Sequence, residues 1–440
     1  QEKMRFTRLR TAILICTLPL IAGCIMPEGS LGSAASRLGL PYGHTTQDAA
    51  SKSKSSQSQI IDQLQSRWSV LPPDSSYAQV AEAVLASDAQ VAAAELRAAK
   101  LRSQAASKNW LPSLGSVISL TSLGDLVANL VLDQVLFDNG RAKAQRAFAA
   151  ADVEMAAVTL SLDTNARVYQ ALKLYLQAQK GGEIAHQSDV VLAEIKKFQW
   201  IMNERVKGGV SDMSDLNILN QKLAEIKAER SRGGQNQRIA LAELQAMAAR
   251  PLDTIGGQTE IEIIGSEVVP LSVLEAQAAE RRDIASAKID RSNELPGLVA
   301  RASGGTSDPS LEVGVKSDRF FDLGTSARLR AGKAAQTVAN RQVEQAKETA
   351  HRRMQAYLQD LTSAEQQLSE ARALRKQAWN NFTLFRRQYE AGQRQVMDVV
   401  GVYESYARQQ RRLLELKYQI AQFKLQIARD LGLLADGAKI

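Results

Sequence analysis

The sequence predicts a mainly α-helical protein with a small β part, in which one helix–β-hairpin–long helix–helix unit occurs twice. Three motifs recur in the same order and at nearly the same distance along the chain: Asn109–Pro112 with Asn293–Pro296, Phe137–Gly140 with Phe321–Gly324, and Gly209–Asp215 with Gly392–Asp398. This period is far longer than the roughly 20–50 residues of solenoid repeats, so each copy is a large unit. Aromatic residues make up only 5% of the chain, and Ala, Gln, Leu, Arg and Glu dominate long stretches, which is typical of extended helices.

Each predicted copy begins with a helix and contains one very long helix. The opening helices are expected at about 77–108 and 271–293, and a Leu-Pro pair follows each of them. The long helices run from about 141 to 205 and from about 326 to 389, with the Gly181–Gly182 pair as the one weak point. At about 1.5 Å per residue, such a helix spans roughly 100 Å.

Apolar residues in the second copy recur at spacings of three and four, which is the pattern of a supercoiled seam. The seam of the long helix consists of Met354, Tyr357, Leu361, Ala364, Leu368 and Ala371. The seam of the last helix consists of Leu413, Leu416, Ile420, Phe423 and Ile427. The two helices are therefore expected to pair, and the charged residues between the seams to form a solvated face.

The two β-hairpins, expected at about 113–137 and 297–320, alternate in polarity. One set of side chains is apolar: Leu298, Ala300, Ala302, Leu311, Val313, Val315 and, in the first copy, Leu130, Leu132 and Leu136. The intervening set contains Asp133, Arg301, Glu312 and Lys316. Such alternation is typical of a transmembrane barrel strand, and also of a half-buried sheet on a soluble core. Four strands cannot close a barrel and lipid forbids an open edge, so a membrane sheet must be shared between subunits.

The N-terminal segment has the three parts of a bacterial secretory signal. Arg5, Arg8 and Arg10 precede an apolar stretch over 11–20, and the chain then reads Ile21-Ala22-Gly23-Cys24. This resembles a lipobox, so Cys24 is the predicted lipidation site. Ile25 follows it in place of the aspartate associated with inner-membrane retention, which favours the outer membrane. The polar Ser/Lys-rich stretch after it predicts a tether.

Composition and charge exclude several classes of function. The net charge of +8 is spread along helices without an aromatic-rich basic cluster, which argues against nucleic acid as a partner. The only cysteines are Cys16 and Cys24, and the three histidines lie far apart in the chain. We therefore predict no disulfide, no metal site, no cofactor and no catalytic constellation, and hence no enzyme.

Four features of the chain resemble the TolC-like outer-membrane efflux proteins. They are the lipobox and three features that each occur twice: the Leu-Pro signals, the Phe-Asp-x-Gly motifs and the glycine turns. The resemblance covers about 77–434 and implies a homotrimer, with a 12-stranded β-barrel in the outer membrane and a 12-helix periplasmic α-barrel. It implies a lipid-anchored channel-tunnel that works with a periplasmic adaptor (a membrane fusion protein) and an inner-membrane pump of the RND or ABC type. The predicted organisation is a signal peptide over 1–23, a lipid anchor and flexible linker over 24–76, a first repeat over 77–250, an equatorial connection over 251–270, a second repeat over 271–434 and a tail over 435–440.

The resemblance also implies a periplasmic gate at the helix turns. Its residues are Tyr389, Arg394, Asp398, Ser214 and Asp215, and the turns that contact the adaptor contain Gly208, Gly209, Ala391 and Gly392. Arg394 and Asp215 are expected to pair between helices. A second acid of some family members is Gly401 here, so the acidic ring is thinner. The alternative role for Asp215 and Asp398 is helix capping, which their expected position several residues inside the helices disfavours.

Two questions stay open from the sequence. The alternative function is a periplasmic coiled-coil adaptor or scaffold lipoprotein without a channel, although an adaptor usually has one helical hairpin flanked by β-domains. The exported cargo is the other question, because small-molecule efflux and type I protein secretion both use such ducts.

Overall fold

The elements of the two copies follow one another in the same order in the computed structural model. It describes residues 58–87, 91–120, 126–252, 256–257, 259–262, 268–305, 308–317 and 323–439. The signal segment, Cys24, the linker up to residue 57, Phe321 and Asp322 lie outside the described residues.

Helices dominate the described chain. Two short helices, α1 (Gln59–Gln65) and α2 (Ser76–Leu85), precede the repeats. The first repeat consists of α3 (Val91–Ser107), β1 (Ser113–Leu120), β2 (Leu126–Phe137), α4 (Arg141–Lys207) and α5 (Met213–Met247). The second consists of α6 (Leu271–Asn293), β3 (Gly297–Gly305), β4 (Ser310–Lys316), α7 (Thr325–Glu390) and α8 (Val396–Asp430), and a 3₁₀ turn follows at Gly437–Lys439.

The duplication is confirmed by element lengths. The long helices α4 and α7 have 67 and 66 residues, and the closing helices α5 and α8 have 35 each. Every residue of the two predicted seams on α7 and α8 is buried or half-buried, as a helix pair requires. The prediction of a mainly α-helical, duplicated fold with a small β part is thus correct.

Residues 77–108 form parts of two helices, whereas one helix was expected there. Helix α2 ends at Leu85, and α3 begins at Val91. Side chains satisfy the carbonyl group of Val84 at this end: the Ser87 hydroxyl donates to it at 2.9 Å and Arg167 Nε at 3.4 Å. These bonds replace the helical bonds that a continuous helix would supply, so α2 can turn its buried face into the core.

Residues 58–76 are folded, so the prediction of a flexible linker up to residue 76 is wrong for this part. Ile60 and Leu64 are one helical turn apart on α1, and both are buried in a cluster with α4 and α6. The next ordered contact is Arg67, which is 6% exposed. Its guanidinium donates to the carbonyl oxygens of Leu431 at 2.6 Å and Val269 at 2.7 Å. Apolar burial and these bonds outweigh the polar composition that suggested a tether.

Helix α4 runs unbroken through Gly181–Gly182, where the sequence suggested weakness. A methyl group added to Gly181 would lie 2.7 Å from the carbonyl oxygen of Gly233 on α5, and one added to Gly233 would lie 2.9 Å from that of Gly181. The two backbones therefore cross in direct contact. The glycines permit a close approach between helices, as small residues do, and do not interrupt the helix.

Two apolar cores lie along the helices. The central core packs α2, α4 and α8 around three buried tyrosines, and its largest members are Tyr77, Tyr175, Tyr418, Leu172 and Leu176. The tip core packs the far ends of α4, α5, α7 and α8 around Ile195, Phe198, Leu219, Phe382 and Tyr403. The helical hairpins α4–α5 and α7–α8 thus pack against each other at the middle and at the tip.

The four strands form one antiparallel sheet in the order β1-β2-β3-β4. Strands β2 and β3 pair across the two repeats, with Asp133 opposite Arg301 and Leu132 opposite Ala302. A bulge between Val135 and Phe137 shifts the register. Beyond it Phe137 takes the place opposite Leu298 that strict alternation would give to Leu136.

Candidate functional site

Two features at opposite ends of the long helices have the form of functional surfaces. The sheet adjoins the N-terminal ends of α4 and α7, and two tight turns follow their C-terminal ends. Helices of 67 and 66 residues separate the two by roughly 100 Å.

One face of the sheet carries every ionisable side chain of the four strands. Register places Asp133, Arg301 and Glu312 side by side, and Lys316 has the same parity as Glu312. Arg301 donates to Asp133 through Nε at 2.7 Å and Nη2 at 3.1 Å. The Ser303 and Ser310 hydroxyls are 2.8 Å apart on the same face. The charged and hydroxyl groups of this face suit it to contact with water.

The opposite face is uncharged and mainly apolar, although it also carries Ser116 and Gln134. Its members include Leu114, Leu132, Leu298, Leu311, Val313 and Val315. Leu114, Leu311 and Val315 are 72%, 77% and 71% exposed, and all of β4 is exposed. No described residue covers this face. Among the described residues, the sheet is therefore not half-buried on a core of the same chain.

The edges of the sheet are unpaired among the described residues. Strand β1 pairs only with β2, and β4 only with β3. Unpaired edge groups template the addition of another strand. An apolar face and two open edges together define a sheet that is incomplete in one copy of the chain.

The two tip turns have the same backbone geometry. After α4, Val210 N donates to the carbonyl oxygen of Arg205 at 2.8 Å, and Gly209 has a φ of 70°. After α7, Gln393 N donates to that of Gln388 at 2.8 Å, and Gly392 has a φ of 74°. Both turns are Schellman motifs, in which glycine takes the left-handed position. The duplicated glycines of the sequence thus mark duplicated turns.

The predicted adaptor-contact residues Gly208, Gly209, Ala391 and Gly392 are all exposed. Gly208 and Ala391 are the residues that terminate α4 and α7, where their N–H groups bond to Glu204 and Arg387. Their backbones are therefore held by the turns, while their surfaces stay available for contact.

Positions 205 and 211 of the first turn correspond to positions 388 and 394 of the second, and a side-chain hydrogen bond joins each pair. The arginine is the first member of the pair in the first turn and the second member in the second turn. Arg205 Nε donates to the Ser211 hydroxyl at 3.0 Å in the first turn. Arg394 Nε donates to Gln388 Oε1 at 3.1 Å in the second, and its guanidinium lies 4.4 Å from the Phe385 ring centre. Within one copy Arg394 therefore braces its own turn. The expected pair with Asp215 does not form in the single chain.

Asp398 caps its helix, which corrects the expectation that it lies several residues inside. Helix α8 begins at Val396, and Gln395 N donates to Asp398 Oδ2 at 3.3 Å. The Gln395 side chain accepts in return from the backbone of Asp398, which completes a capping box. Asp398 remains exposed, so its carboxylate also faces solvent.

Asp215 occupies the matching position of α5, in the first turn of the helix. The N-cap residue is Asp212, which accepts from Ser214 N at 3.1 Å. The backbone N–H of Ser214, and then its hydroxyl, hold the pKa of Asp212 below its usual range. Ser214 is thus engaged with Asp212, and Asp215 is half-buried.

Tyr389 lies between the second turn and the tip core. Its carbonyl oxygen accepts from Gly392 N at 2.9 Å, and its half-buried ring packs against the tip core. Farther from the tip, Lys222 of α5 and Glu404 of α8 form an ion pair at 2.6 Å. The structure brings Tyr389, Arg394 and Asp398 together on one turn, and Ser214 and Asp215 on the other.

The described residues contain no candidate metal site. Among the described residues, no group of three or more His, Cys, Asp or Glu side chains could hold a metal ion. No helix in the described part of the chain is both long and apolar enough to cross a membrane.

The folds of known outer-membrane channels match this arrangement. A membrane protein from Pseudomonas aeruginosa superimposes with a TM-score of 0.72 at 17% identity, over 83% of this chain and 92% of that one. The outer-membrane protein VceC from Vibrio cholerae gives 0.70 at 14% identity, over 81% and 96%. The CmeC outer-membrane channel of Campylobacter jejuni gives 0.67 at 13% identity, over 82% and 86%.

No protein-family model and no curated protein sequence matches the chain. The structural matches show the fold: the chain folds like the outer-membrane proteins VceC and CmeC, which agrees with the fold that the resemblance implied. The duplicated turn glycines were visible in the sequence. The capping role of Asp398 was the alternative that the sequence disfavoured, and Gln395-x-x-Asp398 lacks the Ser or Thr with which the usual capping-box pattern begins.

Proposed function

We propose that this protein is a trimeric channel-tunnel of the bacterial outer membrane, through which an inner-membrane pump and a periplasmic adaptor export substrates. The single observation that carries the proposal is the sheet, which has an apolar exposed face, a charged exposed face and two open edges. In lipid each unpaired backbone group costs several kcal/mol, so the edges must be closed by other copies. Three copies supply twelve strands, and the charged faces then line the lumen.

The helices extend the wall into the periplasm. Each copy contributes the hairpins α4–α5 and α7–α8, with α3 and α6 continuing the wall beside the sheet. Cys24 would anchor each copy to the outer membrane through acyl chains, which fits the outer-membrane sorting that Ile25 favours. The duct itself catalyses nothing, and the RND- or ABC-type pump supplies the energy. The same duct suits small-molecule efflux and type I secretion.

The gate in this proposal lies at the tip turns. Three copies of Tyr389, Arg394, Asp398, Ser214 and Asp215 would converge around the axis, with Arg394 and Asp215 meeting between neighbouring copies. Each such exposed pair is worth about 1 kcal/mol or less. A barrier of this size lets an adaptor that binds Gly208, Gly209, Ala391 and Gly392 open the gate, because a ligand shifts an equilibrium by its differential affinity.

Single-channel recording in planar bilayers tests the gate. The double variant R394A/D398A is expected to raise the conductance several-fold, because it removes the charges that hold the tips together. Q395A is the matched control, since it disrupts the same capping box and leaves both charges in place. Unchanged conductance in R394A/D398A, or an equal rise in Q395A, would argue that these charges do not gate.

The scaffold alternative makes different predictions. A periplasmic rod without a channel would be monomeric after removal of Cys24 and would produce no conductance. The channel predicts an SDS-resistant trimer in outer-membrane fractions, which migrates as a monomer only after heating. The two open sheet edges favour the channel, because a monomeric rod leaves them unpaired.

A further inference from the structure

A row of polar side chains crosses all four strands at one level of the sheet. Register places Ser113 opposite Asp133, Asp133 opposite Arg301, and Arg301 opposite Glu312. The Arg301 guanidinium holds Asp133 through two hydrogen bonds, and the carboxylate of Glu312 attracts it from the other side. One arginine is thus shared by two acids.

This row lies well inside the strands. Asp133 lies four residues before the end of β2, Arg301 four residues after the start of β3, and Glu312 four residues before the end of β4. These strand ends are the ones nearest the helices. At about 3.3 Å per residue, the row is about 13 Å from the junction with the helices. Lys316, at the end of β4, lies on the same face and attracts Asp133. Two acids and two bases therefore cancel on a face that holds all the ionisable groups of the strands.

We propose that Arg301, together with Lys316, sets the ion selectivity of the duct by neutralising Asp133 and Glu312 in the membrane part of the lumen. The inference rests on the proposed function, because only a closed wall of several copies turns the row into a ring. Low-dielectric walls focus the field of an uncompensated charge and enrich counter-ions. A balanced ring avoids this, so the native duct passes anionic and cationic solutes with similar ease.

Removal of one partner unbalances the ring in a defined direction. In R301Q, Asp133 and Glu312 face Lys316 alone, so each copy gains one net negative charge and the lumen favours cations. In D133N each copy gains one net positive charge and the lumen favours anions. The double variant D133R/R301D reverses the pair and keeps the balance. Arg301→Lys keeps the charge and loses only the paired hydrogen bonds.

Reversal potentials across planar bilayers in a KCl gradient measure the effect. We expect the K⁺/Cl⁻ permeability ratio to rise at least about threefold in R301Q and to fall by a similar factor in D133N at low salt. The ratio of D133R/R301D and of R301K should stay near that of the native chain. Both shifts should shrink near 1 M salt, where the screening length falls from about 10 Å to about 3 Å.

The outcomes separate the inference from the function on which it rests. The series is repeated with D398N in each variant, so that the carboxylate at the tip contributes no charge. If the native chain conducts no ions, the proposed channel function is wrong. A native chain that conducts, with the same permeability ratio in R301Q and D133N, would overturn the role of Arg301 alone. If R301Q fails to insert, D133N and the charge-reversed pair still decide the question.

Discussion

Arg67 joins three parts of the chain that are far apart in sequence. Its guanidinium bonds the carbonyl oxygens of Leu431, at the end of α8, and Val269, before α6, and its own carbonyl accepts from Gly437 N at 3.0 Å. Burial lowers the pKa of Arg67 to about 10, which leaves the group charged at neutral pH. A buried cation satisfied by carbonyl oxygens therefore holds the N-terminal segment to the central core.

Replacing this side chain tests that role. R67M should lower the free energy of unfolding by about 2–4 kcal/mol, because it leaves two buried carbonyl groups without a donor. Thermal unfolding and limited proteolysis of residues 58–70 measure the loss. Gln65→Met is the matched control, since Gln65 is exposed at the end of α1, two residues before Arg67, and should tolerate the change. Equal stability of R67M and the control would contradict the account.

Asp212 should make the first tip turn sensitive to acid. Its folded-state pKa lies below the unfolded value of about 3.9, because Ser214 hydrogen-bonds the carboxylate. The cap therefore contributes stability above about pH 4, and this stability is lost as the pH falls through the lower folded-state pKa.

Hydrogen exchange of the first turn of α5, corrected for intrinsic rates, measures this loss. Protection should fall between pH 5 and pH 3 in the native chain. Asp212→Asn is the control, because asparagine caps a helix without titrating, and its protection should stay constant. The same pH dependence in both chains would rule out Asp212 as the source.

Two neighbouring glycines of α5, Gly233 and Gly234, have different surroundings where α5 crosses α4. A methyl group at Gly233 would lie 2.9 Å from both the Gly181 carbonyl oxygen and the Ile184 side chain, whereas one at Gly234 meets nothing within 4 Å. G233A should therefore cost about 1–3 kcal/mol, because the helices must separate.

G234A is the internal control for this contact. It should be neutral or stabilise by up to about 1 kcal/mol, because alanine favours a helix over glycine. Denaturant unfolding of the two variants compares neighbouring positions of one helix. Equal effects would show that helix propensity, and not the crossing, determines the role of these glycines.

The sequence predicted the elements whose signals are local. The Leu-Pro pairs, the turn glycines at 209 and 392, and the alternating strands all lie where the structure has them. The sequence did not predict the structure of segments that are held by residues far away in the chain. The break after Leu85 depends on Arg167, and the order of residues 58–76 depends on carbonyl oxygens at Val269 and Leu431. No local pattern reveals such partners.

The candidate site was predictable to a similar extent. Repetition located both turns, and the same offset linked Asp215 with Asp398. The side-chain partners were not predictable, because the contacts of Arg394 with Gln388 and Phe385 depend on the geometry of the turn. The roles of Tyr389, Arg394, Asp398, Ser214 and Asp215 in gating stay predictions, which the conductance of the variants will decide.

The sheet formed by β1, β2, β3 and β4 is incomplete in one copy of the chain. It exposes side chains on both faces, and among the described residues the outer strands β1 and β4 each have a strand partner on one side only. Closed symmetry is the common solution for such a surface, because a ring leaves no free edge. In the proposed trimer, lipid would lie against the apolar face of each strand and water against the charged face.

Electron cryo-microscopy of the purified protein in lipid nanodiscs tests this account most directly. We expect three copies around one axis, with Leu311, Val313 and Val315 against lipid, Arg301 facing an open lumen, and β1 of each copy paired with β4 of the next. A lone subunit whose strands fold back onto its own helices, with no passage through it, would contradict the account.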